Sequence, residues 1–404
     1  MKIIHTSDWH LGQSFYSYDR KEEHRLFLAW LRNELSAAKA DALLIAGDVF
    51  DNPNPPAESQ AMYYRFLREI TSDNPELNVV VIAGNHDSAA RLEAPEPLLE
   101  GMRVHARGII RRKSDGEIDL ERLIIPLICD GVTKAWCLAV PYLRQGDYPP
   151  ASNYSEGVSK LYRALLDAVP DASLPIVAMG HLQSMGACIS DNDSSERSII
   201  GGLESVSSDA FPSTLAYTAL GHLHRPQSVS GRDKIRYAGA PVPMSFAERN
   251  NRRGVVLVEI SEGINAETKF DFIDFSPPSE LISIPRSDEA GSLQTVLEEL
   301  ANLPGGEITS LSPYIEVRIK LREPEPALRF RIESALEGKS VRLAGIVPVF
   351  PSQGKSSGGV SFEELHNIKP VDMALDVYRQ TFGGEEMPQA MQELLLTAIR
   401  EADR

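Results

Sequence analysis

Apolar runs alternate with short polar punctuation along the first 250 residues, and five of the runs end alike. Lys2-Ile3-Ile4-His5-Thr6-Ser7 leads to Asp8, and Ala42-Leu43-Leu44-Ile45-Ala46-Gly47 leads to Asp48. Val79 through Gly84 leads to Asn85, Pro175 through Gly180 to His181, and Tyr217 through Gly221 to His222. Apolar runs this short, bounded by glycine and polar residues, predict buried strands. Between them Leu26, Phe27, Trp30, Leu31 and Leu35, then Met62, Tyr63, Phe66, Leu67 and Ile70, recur at three-and-four spacing and predict helices with one apolar face. The alternation predicts an α/β layered domain, with the polar residues at the carboxyl ends of the strands, where open α/β sheets place ligands.

After Phe275-Ser276-Pro277-Pro278 the pattern changes. Strands are expected at Leu281–Ile284, around Ile315–Leu321 and at Val341–Val349, with helices at Leu293–Leu300 and from Pro326 to near Gly338, a small βαβαβ unit. Residues 351–360 have the composition of a flexible linker. They include Gly354-Lys355-Ser356, but the phosphate-cradling loop needs a glycine where Val349 stands, so nucleotide binding is not read here. Two amphipathic helices are expected in 361–404, one carrying Leu375, Tyr378 and Phe382, the other Leu394 and Leu395.

At 404 residues the chain calls for two or three domains. The 42% hydrophobic and 24% charged shares are ordinary for globular proteins, and no apolar run approaches the roughly 20 residues that span a bilayer. The start of the chain lacks the apolar core of a secretory signal, so a cytoplasmic protein is expected. Cys129, Cys137 and Cys188 are too few and too irregular for a disulfide framework. A net charge of −16 argues against a broad basic face for nucleic acid, yet bound cations can reverse the sign of an acidic patch. Arg20-Lys21 and Arg252-Arg253 are read as surface basics, and His24, His105 and His366 as structural.

Singly, each strand end is unremarkable. Together, buried polar groups at five strand ends need partners, and a shared metal cluster satisfies all of them at once. Asp8, His10, Asp48, Asn85, His181, His222 and His224 offer carboxylate, imidazole and amide donors with no thiolate, a mix suited to Mn²⁺, Fe or Zn. Seven side chains exceed the needs of one ion, and two ions roughly 3.5–4 Å apart with a bridging carboxylate are the economical arrangement. Neighbours at a strand end diverge, so if Asn85 binds metal then His86 points elsewhere, either to move a proton or as a structural histidine, with Asp51 placed to orient its imidazole.

Asp8-x-His10, Gly47-Asp48-x-x-Asp51, Gly84-Asn85-His86-Asp87, Gly180-His181 and Gly221-His222-x-His224, in this order, resemble the calcineurin-like metallophosphoesterases. The longer stretches His5–Gly12, Gly47–Asp51, Gly84–Ser88 and Tyr237–Phe246 are similar to the SbcD family of bacterial nuclease subunits. The resemblance implies a four-layer metallophosphoesterase sandwich (1–275), a capping domain (276–350), a linker and a helical partner-binding segment (361–404). It implies that Asp8, His10, Asp48 and His224 hold one ion, that Asp48, Asn85, His181 and His222 hold the other, and that His86 assists phosphodiester cleavage. It further implies two Mn²⁺ ions, DNA as substrate, a homodimer of nuclease subunits within a heterotetramer, and an SbcC-like coiled-coil ATPase gripped by the C-terminal helices. The competing expectations are a phosphomonoesterase or cyclic-nucleotide phosphodiesterase on the same site, and a catalytically silent scaffold.

Overall fold

The long apolar runs form the middle of two six-stranded sheets. In the first sheet the order is Thr268–Asp274, Gly254–Ile260, Lys2–Thr6, Ala42–Ala46, Asn78–Ile82 and Val104–Arg107. Its last four strands are parallel, and Gly254–Ile260 pairs antiparallel with Lys2–Thr6. The second sheet runs Gln227–Val229, Arg232–Tyr237, Tyr217–Gly221, Ile176–His181, Val132–Ala139 and Ile124–Cys129, with a parallel middle and antiparallel edges. The structure is a computed structural model describing residues 1–187, 205–261, 267–287, 289–322 and 325–350, together with Leu375, Tyr378, Met387, Pro388, Met391 and Gln392.

The sheets are apolar on both faces because each is covered twice. Ile3, Leu44, Val80 and Ile82 meet Leu127, Cys137, Val177 and Met179 between the sheets. On the outer side of the first sheet, helix Lys21–Ala38 buries Phe27, Leu28, Leu31 and Leu35, and helix Ala57–Asp73 buries Tyr63, Phe66, Leu67 and Ile70. Outside the second, helix Tyr154–Asp167 is capped by Asn153, whose Oδ1 accepts from Glu156 N at 2.8 Å, and buries Val158, Leu161, Tyr162 and Leu165. At about 1.5–3 kcal/mol for each large apolar side chain, these faces hold the helices to the sheets. The result is the expected four-layer α/β sandwich. The strands outside the five motif-bearing runs flank them in each sheet, such as Gly254–Ile260, which pairs antiparallel with Lys2–Thr6 some 250 residues away.

Leu281–Ile284, Tyr314–Lys320 and Arg342–Val349 form a separate three-stranded parallel sheet, with helices Leu293–Ala301 and Leu328–Ala335 between them in the chain. This small unit has its own core of Ile284, Val296, Leu300, Val317, Ile319 and Ile332. It meets the sandwich through Phe15, Phe246 and Tyr314, and the Tyr314 hydroxyl donates to Glu23 Oε1 at 2.7 Å. Residues Met1–Val349 make one unit and Phe350–Arg404 another. Within the latter, Leu375 and Tyr378 have helical backbone and are half-buried, while Phe382, Leu394, Leu395 and the expected linker lie outside the described residues. No helix among the described residues is long and apolar enough to cross a membrane. Cys137 is buried, Cys129 is partly exposed and both are free thiols.

Candidate metal centre

A strand cannot deliver its last residue into a pocket without turning, and the backbone shows how this is done. Asp8, His10, Asp48 and His222 all have positive φ, of 55°, 46°, 50° and 102°. Side chains with a Cβ resist this region, and such strain concentrates at functional sites. The turns are stitched together: Asp8 N donates to Gly47 O and His10 N to Asp48 O, both at 3.0 Å, and His222 N donates across to Asp8 Oδ1 at 3.0 Å. The glycine before Asn85 has a packing role. A Cβ on Gly84 would overlap the Asp48 carboxylate and its backbone nitrogen. Gly84→Ala should therefore cost on the order of 1–3 kcal/mol of stability and displace Asp48. Gly101→Ala, where a Cβ meets nothing within 4 Å, should be close to neutral, and thermal unfolding of the two variants separates the cases.

The side chains converge as two overlapping groups. Asp8, His10 and His224 bring ligand atoms within 4.8 Å of one another, and so do Asp8, Asp48 and His181. Asp48 Oδ2 stands between the groups, 3.7 Å from His10 Nε2 and 3.3 Å from His181 Nε2. Asn85 Oδ1 faces His181 Nε2 at 3.0 Å and His222 Nδ1 at 3.1 Å. All seven expected residues thus meet in one place, and six of them are buried; Asn85 is half-buried. His10 Nε2 is buried with no hydrogen-bond partner, the state of a donor atom aimed at a cation. Burial alone would lower His181 and raise Asp48. Their attraction reverses both, lifting His181 to about 9 and holding Asp48 below the usual carboxylate range. Burial and the neighbouring His181 push His222 down to about 3. The donor set and its burial fit divalent cations.

Behind these residues stands a further layer that holds the rings. His181 Nδ1 donates to Ala46 O at 2.8 Å, and His10 Nδ1 lies 3.4 Å from Asp51 Oδ1. Asp51 meets His86 through its backbone. Its main-chain carbonyl, not its side chain, accepts from His86 Nδ1, at 2.9 Å, while its carboxylate faces His10. Two groups were missed by the reading of the sequence. Asp87, the last residue of the Gly-Asn-His-Asp motif, accepts from the backbone nitrogens of Gly84, Phe50 and Val49 at 2.9, 2.9 and 3.2 Å, bracing the two loops. Glu248 accepts from His224 Nδ1 at 2.9 Å. Arg20 and Arg253 are corrections: both are buried, because nearby carboxylates neutralise them, Glu23 for Arg20 and Glu248 for Arg253.

A double-sheet fold whose strand ends converge on buried oxygen and nitrogen donors defines the metallophosphoesterases. In agreement, a family model for calcineurin-like phosphoesterases matches residues 1–226, and one described as a type 5 capsule protein repressor C-terminal domain matches 277–382. Proteins named as the D component of the SbcCD nuclease are similar over most of the chain. The one from Rhodobacter capsulatus is 38% identical, covering 88% of this chain and 89% of its own. That of Escherichia coli K12 is 35% identical over 65% of this chain and 66% of its own. That of Bacillus subtilis is 31% identical over 100% of both. The chain belongs to the SbcD family of calcineurin-like phosphoesterases.

Proposed function

We propose that this chain is the nuclease subunit of an SbcCD-type complex, cutting DNA phosphodiesters with two divalent cations, Mn²⁺ above all. The observation that carries the reading is Asp48, whose one carboxylate faces His10 on one side and His181 on the other. Asp8, His10, Asp48 and His224 would hold one cation, and Asp48, Asn85, His181 and His222 the second. When bound, such cations neutralise phosphate charge and activate the attacking water.

The remaining work falls to the chain's own side chains. The His86 ring lies 4.9 Å from that of His10, beside the ligands. Because a carbonyl oxygen can only accept, the bond to Asp51 O fixes the hydrogen on His86 Nδ1 and leaves Nε2 as the end that exchanges a proton with the leaving oxygen. The main-chain N–H of His86 donates to Asp48 Oδ1 at 2.8 Å, so the proton-handling residue and the shared carboxylate keep a fixed spacing. The acidic net charge is consistent with a phosphate grip that comes largely from cations.

The family supports the wider assignment: double-strand exonuclease and hairpin endonuclease action in repair, recombination and replication, in the cytoplasm, by a homodimer bound to an SbcC-like ATPase. Leu375, Tyr378, Phe382, Leu394 and Leu395 are proposed to grip that ATPase, and residues 276–350 to cap the site. The test uses end-labelled duplex and hairpin DNA in Mn²⁺, with and without the ATPase. Cleavage of both substrates is expected. Hydrolysis of free nucleotides with no DNA cut in either case would overturn the assignment in favour of a small-molecule phosphoesterase.

A further inference from the structure

The segment after the last two histidines folds back on them. Gly239 has φ of 77°, and Ala240 N donates to His224 O at 3.0 Å. Pro241 and Pro243 then restrict the chain on its way to the single 3₁₀ turn Phe246–Glu248. The two ends of this turn face in opposite directions.

Glu248, 1% exposed, turns toward the metal centre. Its Oε1 accepts from His224 Nδ1 at 2.9 Å, while Oε2 accepts from Met244 N at 3.2 Å and pairs with Arg253 Nη1 at 2.9 Å. Arg253 in turn donates to Ala240 O at 3.0 Å and to Glu248 O at 2.6 Å. An ionised carboxylate can only accept, so the contact sets the hydrogen of His224 on Nδ1 and directs Nε2 as the cation donor. Phe246, 4% exposed, packs in one cluster with Phe15 of the sandwich and Tyr314 of the small three-stranded unit. Its ring lies 5.6 Å from that of Phe15, which stands 4.7 Å from the ring of Tyr314. Tyr314 is also pinned by Glu23 through its hydroxyl and covered by the Arg342 guanidinium, 3.6 Å from its ring centre. Arg20, paired with Glu23, donates to Pro243 O at the head of the same segment.

We propose that Glu248 is the positioning residue for His224, and that the turn carrying it makes the His10–His224 half of the centre depend on the small unit that grips Phe246. A turn of three residues moves as one piece. Freeing Phe246 from Phe15 and Tyr314 therefore lets Glu248 drift from His224, whereas His181, held by Ala46 O, is untouched. This rests on the ligand assignment proposed above.

The test is Mn²⁺ titration calorimetry on the full-length chain, with ions counted by elemental analysis. Wild type should bind two ions. Glu248→Ala should weaken one of them by about 10–100-fold and leave the other unchanged. Glu248→Gln, whose amide oxygen can still accept from Nδ1, should stay within a few-fold of wild type. Phe246→Ala should weaken the same ion, and Phe330→Ala, on the exposed face of the small unit, should not.

Wild-type affinities in Glu248→Ala, or equal loss of both ions in the Ala and Gln variants, would overturn the positioning role. Wild-type affinities in Phe246→Ala would overturn the dependence on the small unit. If Glu248→Ala does not fold, ¹⁵N shifts of the histidine rings in the metal-free wild type decide, with no hydrogen on His224 Nδ1 as the refuting result. A wild type that binds no pair of ions would instead defeat the ligand assignment itself.

Discussion

Asp48→Asn should leave the chain folded, weaken both bound cations and lower kcat/KM on DNA by on the order of 10³-fold or more. The substitution keeps the shape of the side chain and an oxygen able to accept the His86 N–H, so the loop geometry survives. What it removes is the charge that faces His10 and His181 together. Elemental analysis and Mn²⁺ calorimetry check the outcome. Loss of one ion with the other untouched would mean that Asp48 serves a single position, and the two-ion reading centred on it would fail. The thermal midpoint of the metal-free variant should fall at neutral pH, because attraction to His181 outweighs burial at Asp48 and its charge stabilises the fold.

His86→Ala should give the opposite separation, with two ions retained and kcat reduced by roughly 10²–10⁴-fold. The imidazole is only half-buried and its Nδ1 is committed to the Asp51 carbonyl, so its removal leaves the seven proposed ligands in place. If Nε2 protonates the leaving oxygen, the deficit should shrink on a nitrophenyl phosphodiester, whose leaving group needs no proton. An equal deficit on both substrates would assign His86 to charge stabilisation instead. Loss of metal would make it structural.

Five of the seven proposed ligands were legible as strand ends because each follows an apolar run closed by a small residue, and Gly84 shows why: a larger residue there would occupy the space of the Asp48 carboxylate. The βαβαβ unit was equally legible, since Ile315, Val317 and Ile319 are buried in strict alternation along one strand. The supporting layer was not. Glu248 precedes no motif, and its partner His224 comes from a different segment of the chain. Arg20 looks like a surface cation until Pro243 O is found 223 positions away. Which atom of Asp51 would face His86 was not legible either, because spacing along a chain cannot say whether a carbonyl or a carboxylate faces a neighbour. The C-terminal helices remain a proposal of the sequence, supported among the described residues by the helical backbone at Leu375 and Tyr378.

The order in which the strands are joined bears on how the protein is made. The first sheet takes its four parallel strands from residues 2 to 107, but the second contributes His181 and His222, and Gly254–Ile260 must return to cover the open edge of Lys2–Thr6. A growing chain that has emerged only as far as residue 220 holds Asp8, His10, Asp48 and Asn85 with no His222 or His224 to complete either proposed ion site. On the proposed ligand assignment, loading of both ions is thus deferred until His222 and His224 have joined the earlier strands. On the proposed function, cleavage is thereby withheld until the chain has been made and folded beyond residue 224.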